Sequence, residues 1–166
     1  MKQHAEKEII VPTMLCDKKG NLNPEAIGYA RKPIIDCNLS GQFMRKKKWN
    51  YWCVYGEDIL FSATISHLDY AAVCFVYFLE YETQRYFEKT VLIPLGTKVK
   101  MSTQVLETVS FANSELRIHM SHFDGDTHLS VICPDFDGEH LQAELTIHHP
   151  AADDSLNVVI PWNRQT

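Results

Sequence analysis

The chain has 166 residues, 45% of them hydrophobic and 22% charged, and a formal charge of −5 at pH 7. That length fits one domain, or one half of a two-domain protein, and a globule of this size hides roughly 70% of the surface its unfolded chain exposes, enough for a core without staples. The composition excludes a disordered chain, and the small negative charge argues against a nucleic-acid partner.

The first residues, Met1-Lys2-Gln3-His4-Ala5-Glu6-Lys7-Glu8, are charged and lack the apolar stretch of a secretory signal. Residues 1–45 read as an irregular N-terminal wrap, punctuated by Pro12, Gly20, Pro24, Gly28, Pro33 and Gly41. Within it, Asn23-Pro24-Glu25-Ala26 can hold one helical turn, Asn23 capping and Pro24 in the first helical position. A long non-repetitive segment of this kind commonly wraps over something, such as a barrel mouth.

The pattern changes at the basic run Arg45-Lys46-Lys47-Lys48, whose ordinary reading is a solvated strand start and whose alternative is a phosphate or anionic-lipid contact. Residues 46–166 then read as one antiparallel β domain. Trp49, Tyr51, Cys53 and Tyr55 alternate with Asn50, Trp52 and Val54 up to the turn at Gly56-Glu57-Asp58. Ile59, Phe61, Ala63 and Ile65 alternate with Leu60, Ser62, Thr64 and Ser66, and residues 71–79 are apolar on both faces, as in a central strand. Residues 85–95 return and end at Pro94-Leu95-Gly96; further runs cover 104–112, 116–123, 127–133, 140–148 and 156–160. In 140–148, Leu141, Ala143, Leu145 and Ile147 give the cleanest alternation, one face buried and the other wet. About nine strands at roughly ten-to-twelve-residue spacing, with short connections, predict an all-β meander closed as a barrel or curved as a sandwich.

The longest apolar run, residues 68–79, contains Asp69 and is far shorter than the ~20 residues of a spanning helix, so no transmembrane segment is expected. The five cysteines (Cys16, Cys37, Cys53, Cys74, Cys133) are scattered and form no C-x-x-C pair. That is reduced-compartment usage, and a soluble, cytoplasmic protein is expected. No cofactor is called for. His119 and Arg117 share a strand face while His122 points the other way, and no histidine spacing demands a metal. Ser66-His67-Leu68-Asp69-Tyr70 holds the residue types of a hydrolytic triad, but neighbours in a tight turn do not face one another, and a turn capped by Asp69 is the plainer reading. Asp124-Gly125 and Asp137-Gly138 look like calcium-loop fragments without calcium-loop spacing, and read as hairpin turns. The aromatic crowding at Trp49, Tyr51, Trp52 and Tyr55, and from Phe75 to Phe87, serves either as core or as the lining of an apolar ligand chamber.

Several segments carry a family resemblance: Leu15-Cys16-Asp17-Lys18-Lys19-Gly20-Asn21-Leu22-Asn23, Gly28-Tyr29-Ala30-Arg31-Lys32-Pro33, Lys48-Trp49-Asn50-Tyr51-Trp52, Leu68-Asp69-Tyr70 and Ile160-Pro161-Trp162. Together they resemble the N-terminal half of the domain-of-unknown-function family 2804. The resemblance implies a calycin-like, lipocalin-like fold, distantly similar to hydroxyneurosporene synthase. Members of that family continue past the Pro-Trp motif into a second β domain, so this chain reads as half of the longer architecture. The lipocalin Gly-x-Trp signature is not met, because Lys47-Lys48 precede Trp49. No activity and no catalytic residue comes with the resemblance.

The favoured expectation is therefore binding of an apolar, lipid or isoprenoid-like molecule, with Arg31, Trp49, Tyr51, Trp52 and Tyr77 as lining or mouth residues. The alternative is a hydratase or cyclase acting on such a molecule, which needs a carboxylic acid kept protonated by an apolar site; Asp69 beside Tyr70, and Glu88, are the candidate acids. A third reading is a structural half that docks a second β domain or self-associates as a homodimer.

Overall fold

The structure is a computed structural model that describes residues 6–39, 44 and 46–159. Gly41, Arg45 and the Ile160-Pro161-Trp162 motif lie outside the described residues, as do the first five. The described chain is all-β, with twelve strands and one 3-10 turn. It divides into two compact units, one made of 1–42, 103–105 and 150–166, the other of 43–102 and 106–149.

In the first unit, β1 (Thr13–Met14) pairs in parallel with β3 (Ile35–Asp36). Between them lie the 3-10 turn Pro24–Ala26 and β2 (Gly28–Ala30). The turn forms as its sequence predicts: the Asn23 side chain accepts a hydrogen bond from the Glu25 N–H, and proline opens the helical turn. Ile9, Ala30 and Ile35 make a small core with Leu15, Ile34 and Val159 against it. The last described strand, β12 (Asn157–Val159), pairs antiparallel with β2. That corrects the expectation of one sequential meander to the end of the chain. The N-terminal segment is also less irregular than its breakers suggest, because short strands need only a partner, and β3 and β12 supply one each.

The second unit holds two four-stranded antiparallel meanders. The first sheet runs β4 (Lys48–Tyr55), β5 (Ile59–His67), β6 (Ala71–Glu80), β7 (Tyr86–Pro94), in that order. The second is ordered β11-β10-β9-β8, with β8 (Val109–Ala112), β9 (Arg117–Phe123), β10 (Asp126–Phe136) and β11 (Glu139–His148). The run expected at 104–112 is strand only over its last four residues, and 103–105 belong to the other unit.

One core joins the inward faces of both sheets: Phe61, Ala63, Ile65, Cys74 and Val76 from the first, Phe111, Ile118, Met120, Leu129 and Val131 from the second. Period-two alternation explains the choice, since each of these residues is followed by one pointing outward. The two sheets are separate and open, so the barrel alternative is corrected to a sandwich. Closure would require β4 or β7 to hydrogen-bond across to β8 or β11, and no ladder among the described residues does so.

Candidate ligand cleft and aromatic face

β4 and β11 are both edge strands, and an apolar cleft of about 330 Å³ opens between their sheets. Val54, Phe61 and Phe78 line it from the first sheet, Leu141, Ala143 and Leu145 from the second, with Tyr55-Gly56 and Ile59 at the β4–β5 turn. The β11 residues are those of the clean alternation, yet they are half-buried where full burial was expected. The cause is that this strand is the last of its sheet and its inward side chains border the cleft.

One step along the inward face of β4 from Val54 is Trp52, and one step along β11 from Leu145 is Ile147, which leads to His149. The Trp52 and His149 rings lie 5.6 Å apart, and those of His149 and His122 lie 5.7 Å apart. His149 Nε2 shares a 2.8 Å hydrogen bond with Thr127 Oγ1, and Thr127 is buried. Trp52 Nε1 and His122 Nδ1 are buried without a hydrogen-bond partner among the described residues. Two aromatic nitrogens of this cluster thus have unmet hydrogen-bonding capacity among the described residues.

The outward face of the first sheet is the second unusual surface. Register brings Cys53, Ser62, Tyr77 and Glu88 into one cross-strand row, and Tyr51, Thr64, Phe75 and Thr90 into the next. Trp49, Tyr51, Tyr55 and Tyr86 are exposed on it, while the hydroxyls of Ser62 and Thr64 are buried and unpartnered. Tyr51 and Tyr77 share a 3.3 Å hydroxyl–hydroxyl contact, and hydrogen bonding, to Cys53 first and to Tyr77 second, raises the Tyr51 phenol above its ordinary pKa. Glu88 accepts from Thr90 at 2.6 Å and from the Tyr86 hydroxyl, and these bonds hold its carboxyl below the usual glutamate range.

The residues singled out from sequence therefore separate. Trp49, Tyr51, Tyr77 and Glu88 share the outward face of the first sheet, and Trp52 points inward because strand neighbours alternate. Asp69 and Tyr70 form the β5–β6 turn, Asp69 in left-handed backbone geometry at φ 68°. Its carboxylate accepts from the Met44 N–H at 3.0 Å and lies 3.6 Å from Lys46 Nζ, so it binds a backbone N–H distant in sequence rather than the local ones the turn reading expected. Ser66 is committed elsewhere, donating to the Val73 carbonyl at 2.7 Å. Arg31 belongs to the other unit, where Glu8 and Asp154 bind its guanidinium at 3.1 and 2.9 Å and raise its pKa further.

His119 and Arg117 are exposed on one face of β9, with His122 turned to the other, as the alternation requires. Among the described residues no group of three or more His, Cys, Asp or Glu is placed to hold a metal ion. Asp124-Gly125 and Asp137-Gly138 are two-residue hairpin turns with positive φ at both positions.

What sequence reasoning missed is the cleft itself and the ring cluster around His149. Leu141, Ala143 and Leu145 were legible as an apolar stripe. The pairing of that stripe with Val54, Phe61 and Phe78, and the meeting of His122 and His149, depends on which strands end up at the open edge.

Among known proteins, the family model described as Domain of unknown function (DUF2804) matches residues 6–166, and the chain belongs to that family. No curated protein and no solved structure matches it.

Proposed function

We propose that this member of the family binds an apolar small molecule of lipid or isoprenoid type, and that the cleft at the open edge of the sandwich receives it. The observation that carries the reading is the lining: the cleft walls are aliphatic and aromatic side chains throughout. Its volume of about 330 Å³ falls at the lower end of the range for small-molecule sites, ~300–1,000 Å³. A stable sandwich gains nothing from leaving such a surface uncovered, since packing it shut would bury more apolar area. The calycin-like relationship suggested by the family resemblance belongs to this proposal, and the up-and-down strand order is in keeping with it. So does a cytoplasmic location, which suits the free thiols of Cys16, Cys53, Cys74 and Cys133. Among the described residues no helix is long and apolar enough to cross a membrane.

The test is native mass spectrometry of the purified protein, with organic extraction of whatever it carries. The expected result is a near-stoichiometric apolar molecule that is lost from Ala143→Phe, whose ring fills the cleft. Empty protein that also fails to take up octane or octanoic acid sinks the reading.

A second reading, self-association through the first sheet, is favoured by the outward face of that sheet. Trp49, Tyr55, Tyr86 and Leu92 are each more than half exposed there. Such a patch pressed against its equal in a second copy would cover the aromatics and enclose Ser62 and Thr64. Acid-catalysed hydration or cyclisation has no comparable support. Glu88 is exposed and its bonds favour the carboxylate, the opposite of the protonated acid that chemistry needs.

A further inference from the structure

A molecule lying in the apolar cleft meets a lining and a rim of different chemistry, and the rim decides what its polar end is. Of the nine residues that line the cleft, only Tyr55 carries a polar side-chain atom, and Tyr55 is 77% exposed. A polar group drawn inside would lose its water without gaining a partner, so the polar end of a ligand stays at the rim. The rim consists of the residues that adjoin the lining in sequence or pair with it across strands. Glu57 and Asp58 form the turn between Gly56 and Ile59, Glu80 is the register partner of Ile59, and Glu144 stands between Ala143 and Leu145. No residue in those positions is Lys or Arg.

The four carboxylates are also left without counter-charges. None of them takes part in an ion pair among the described residues. Glu80 accepts from the Thr83 hydroxyl and Glu144 from the Ser130 hydroxyl at 2.7 Å, neutral donors that leave the charge in place. The Tyr81 N–H donates to the Asp58 carbonyl at 2.8 Å, which fixes the β4–β5 turn beside the end of β6, where Glu80 stands. Arg85, whose carbonyl accepts from the Glu80 N–H at 3.0 Å, turns its guanidinium over the Phe87 ring instead. Carboxylates of one sign around low-dielectric walls focus a negative field at the opening, which repels a carboxylate or phosphate head and attracts an ammonium.

We infer that the ligand is a cationic amphiphile, an apolar chain lying in the cleft with an amine head at the rim of Glu57, Asp58, Glu80 and Glu144. This rests on the cleft reading above and names its ligand class, amine-ended chains over fatty acids.

Octylamine, octanol, octanoic acid and octane share one chain length and differ in the head, so their dissociation constants for the full chain at pH 7 and low salt test the inference. Octylamine should bind at least about fivefold more tightly than octanol, the upper end of what one exposed ion pair supplies, and ionised octanoic acid more weakly than octanol. Because the contact is exposed, 1 M salt should remove most of that ranking while octane binds no more weakly. The triple variant Glu57→Gln, Asp58→Asn, Glu80→Gln leaves the lining intact; it should bring octylamine down to the affinity of octanol and leave octane unchanged. The salt series on the wild-type chain gives the same reading without relying on the variant's folding. Octanol or octanoic acid binding as tightly as octylamine, or a margin that outlasts either salt or neutralisation, overturns the inference and leaves the cleft reading standing. If none of the four binds, both fall.

Discussion

Ser62 and Thr64 are buried on the outward face of β5 with hydroxyls that nothing among the described residues engages, whereas Ser66 on the same face bonds a carbonyl. An unpaired hydroxyl taken out of water costs about 1–3 kcal/mol, and a methyl in its place costs nothing of the kind. Thr64→Val is therefore expected to stabilise the chain by about 1 kcal/mol, read from the urea midpoint at unchanged slope. A loss of stability would mean that the hydroxyl has a partner. Burial acts on a different group in Cys74, whose thiol is pushed up to about 12, so that it is inert core at neutral pH. That much was readable in advance, because Cys74 sits in the middle of an apolar run. The orphaned hydroxyls were not: alternation places Ser62 and Thr64 on the outward face but does not say that neighbours cover them.

At the scale of elements, the chain obeys its local signals closely. Asp124-Gly125 joins β9 to β10 with φ values of 53° and 84°, the geometry that suits the right-handed twist of the flanking strands. A Cβ added at Gly125 meets nothing within 4 Å, so alanine there suffers backbone strain alone. Gly125→Ala should cost about 1–2 kcal/mol and Gly125→Asn less, since asparagine tolerates the left-handed region; parallel denaturant curves on the two variants check this. Equal costs would shift the explanation from backbone to solvent-exposed side chain. The same turns account for the Asp-Gly pairs that resemble calcium fragments. Beside the second pair, the Asp135 carboxylate accepts from the Gly138 N–H at 2.9 Å and so serves the hairpin. Strand periodicity also placed Trp49 and Tyr51 on one face and Trp52 on the other before any tertiary contact is considered.

For the whole molecule, the two sheets differ on their outward sides. The second presents Arg117, His119, Gln142, Glu144 and Thr146, a wetted surface; the first presents exposed aromatics. If the aromatic face joins two copies, sedimentation at micromolar concentration should show a dimer, and Trp49→Lys combined with Tyr86→Lys should return it to monomer without altering cleft binding. A wild-type monomer across that range would discard the second reading and leave the face as an ordinary, if apolar, surface. The double variant also separates the two candidate surfaces, because neither residue lines the cleft.

Sequence by itself determined the all-β class, the strand positions from residue 48 onward apart from the start of β8, the hairpin turns, the cap at Asn23 and the family, because each depends on the order of neighbouring residues or on motifs in one segment. Tertiary structure decided that the sheet opens into a sandwich, that β12 returns to β2, and that Val54 and Leu145 line one cleft while Trp52 meets His149. Those contacts join segments about ninety residues apart or more, and no local pattern encodes them. Which of the four edge strands lie opposite one another follows only from how the whole set of inward faces packs, and the cleft opens where β4 and β11 do.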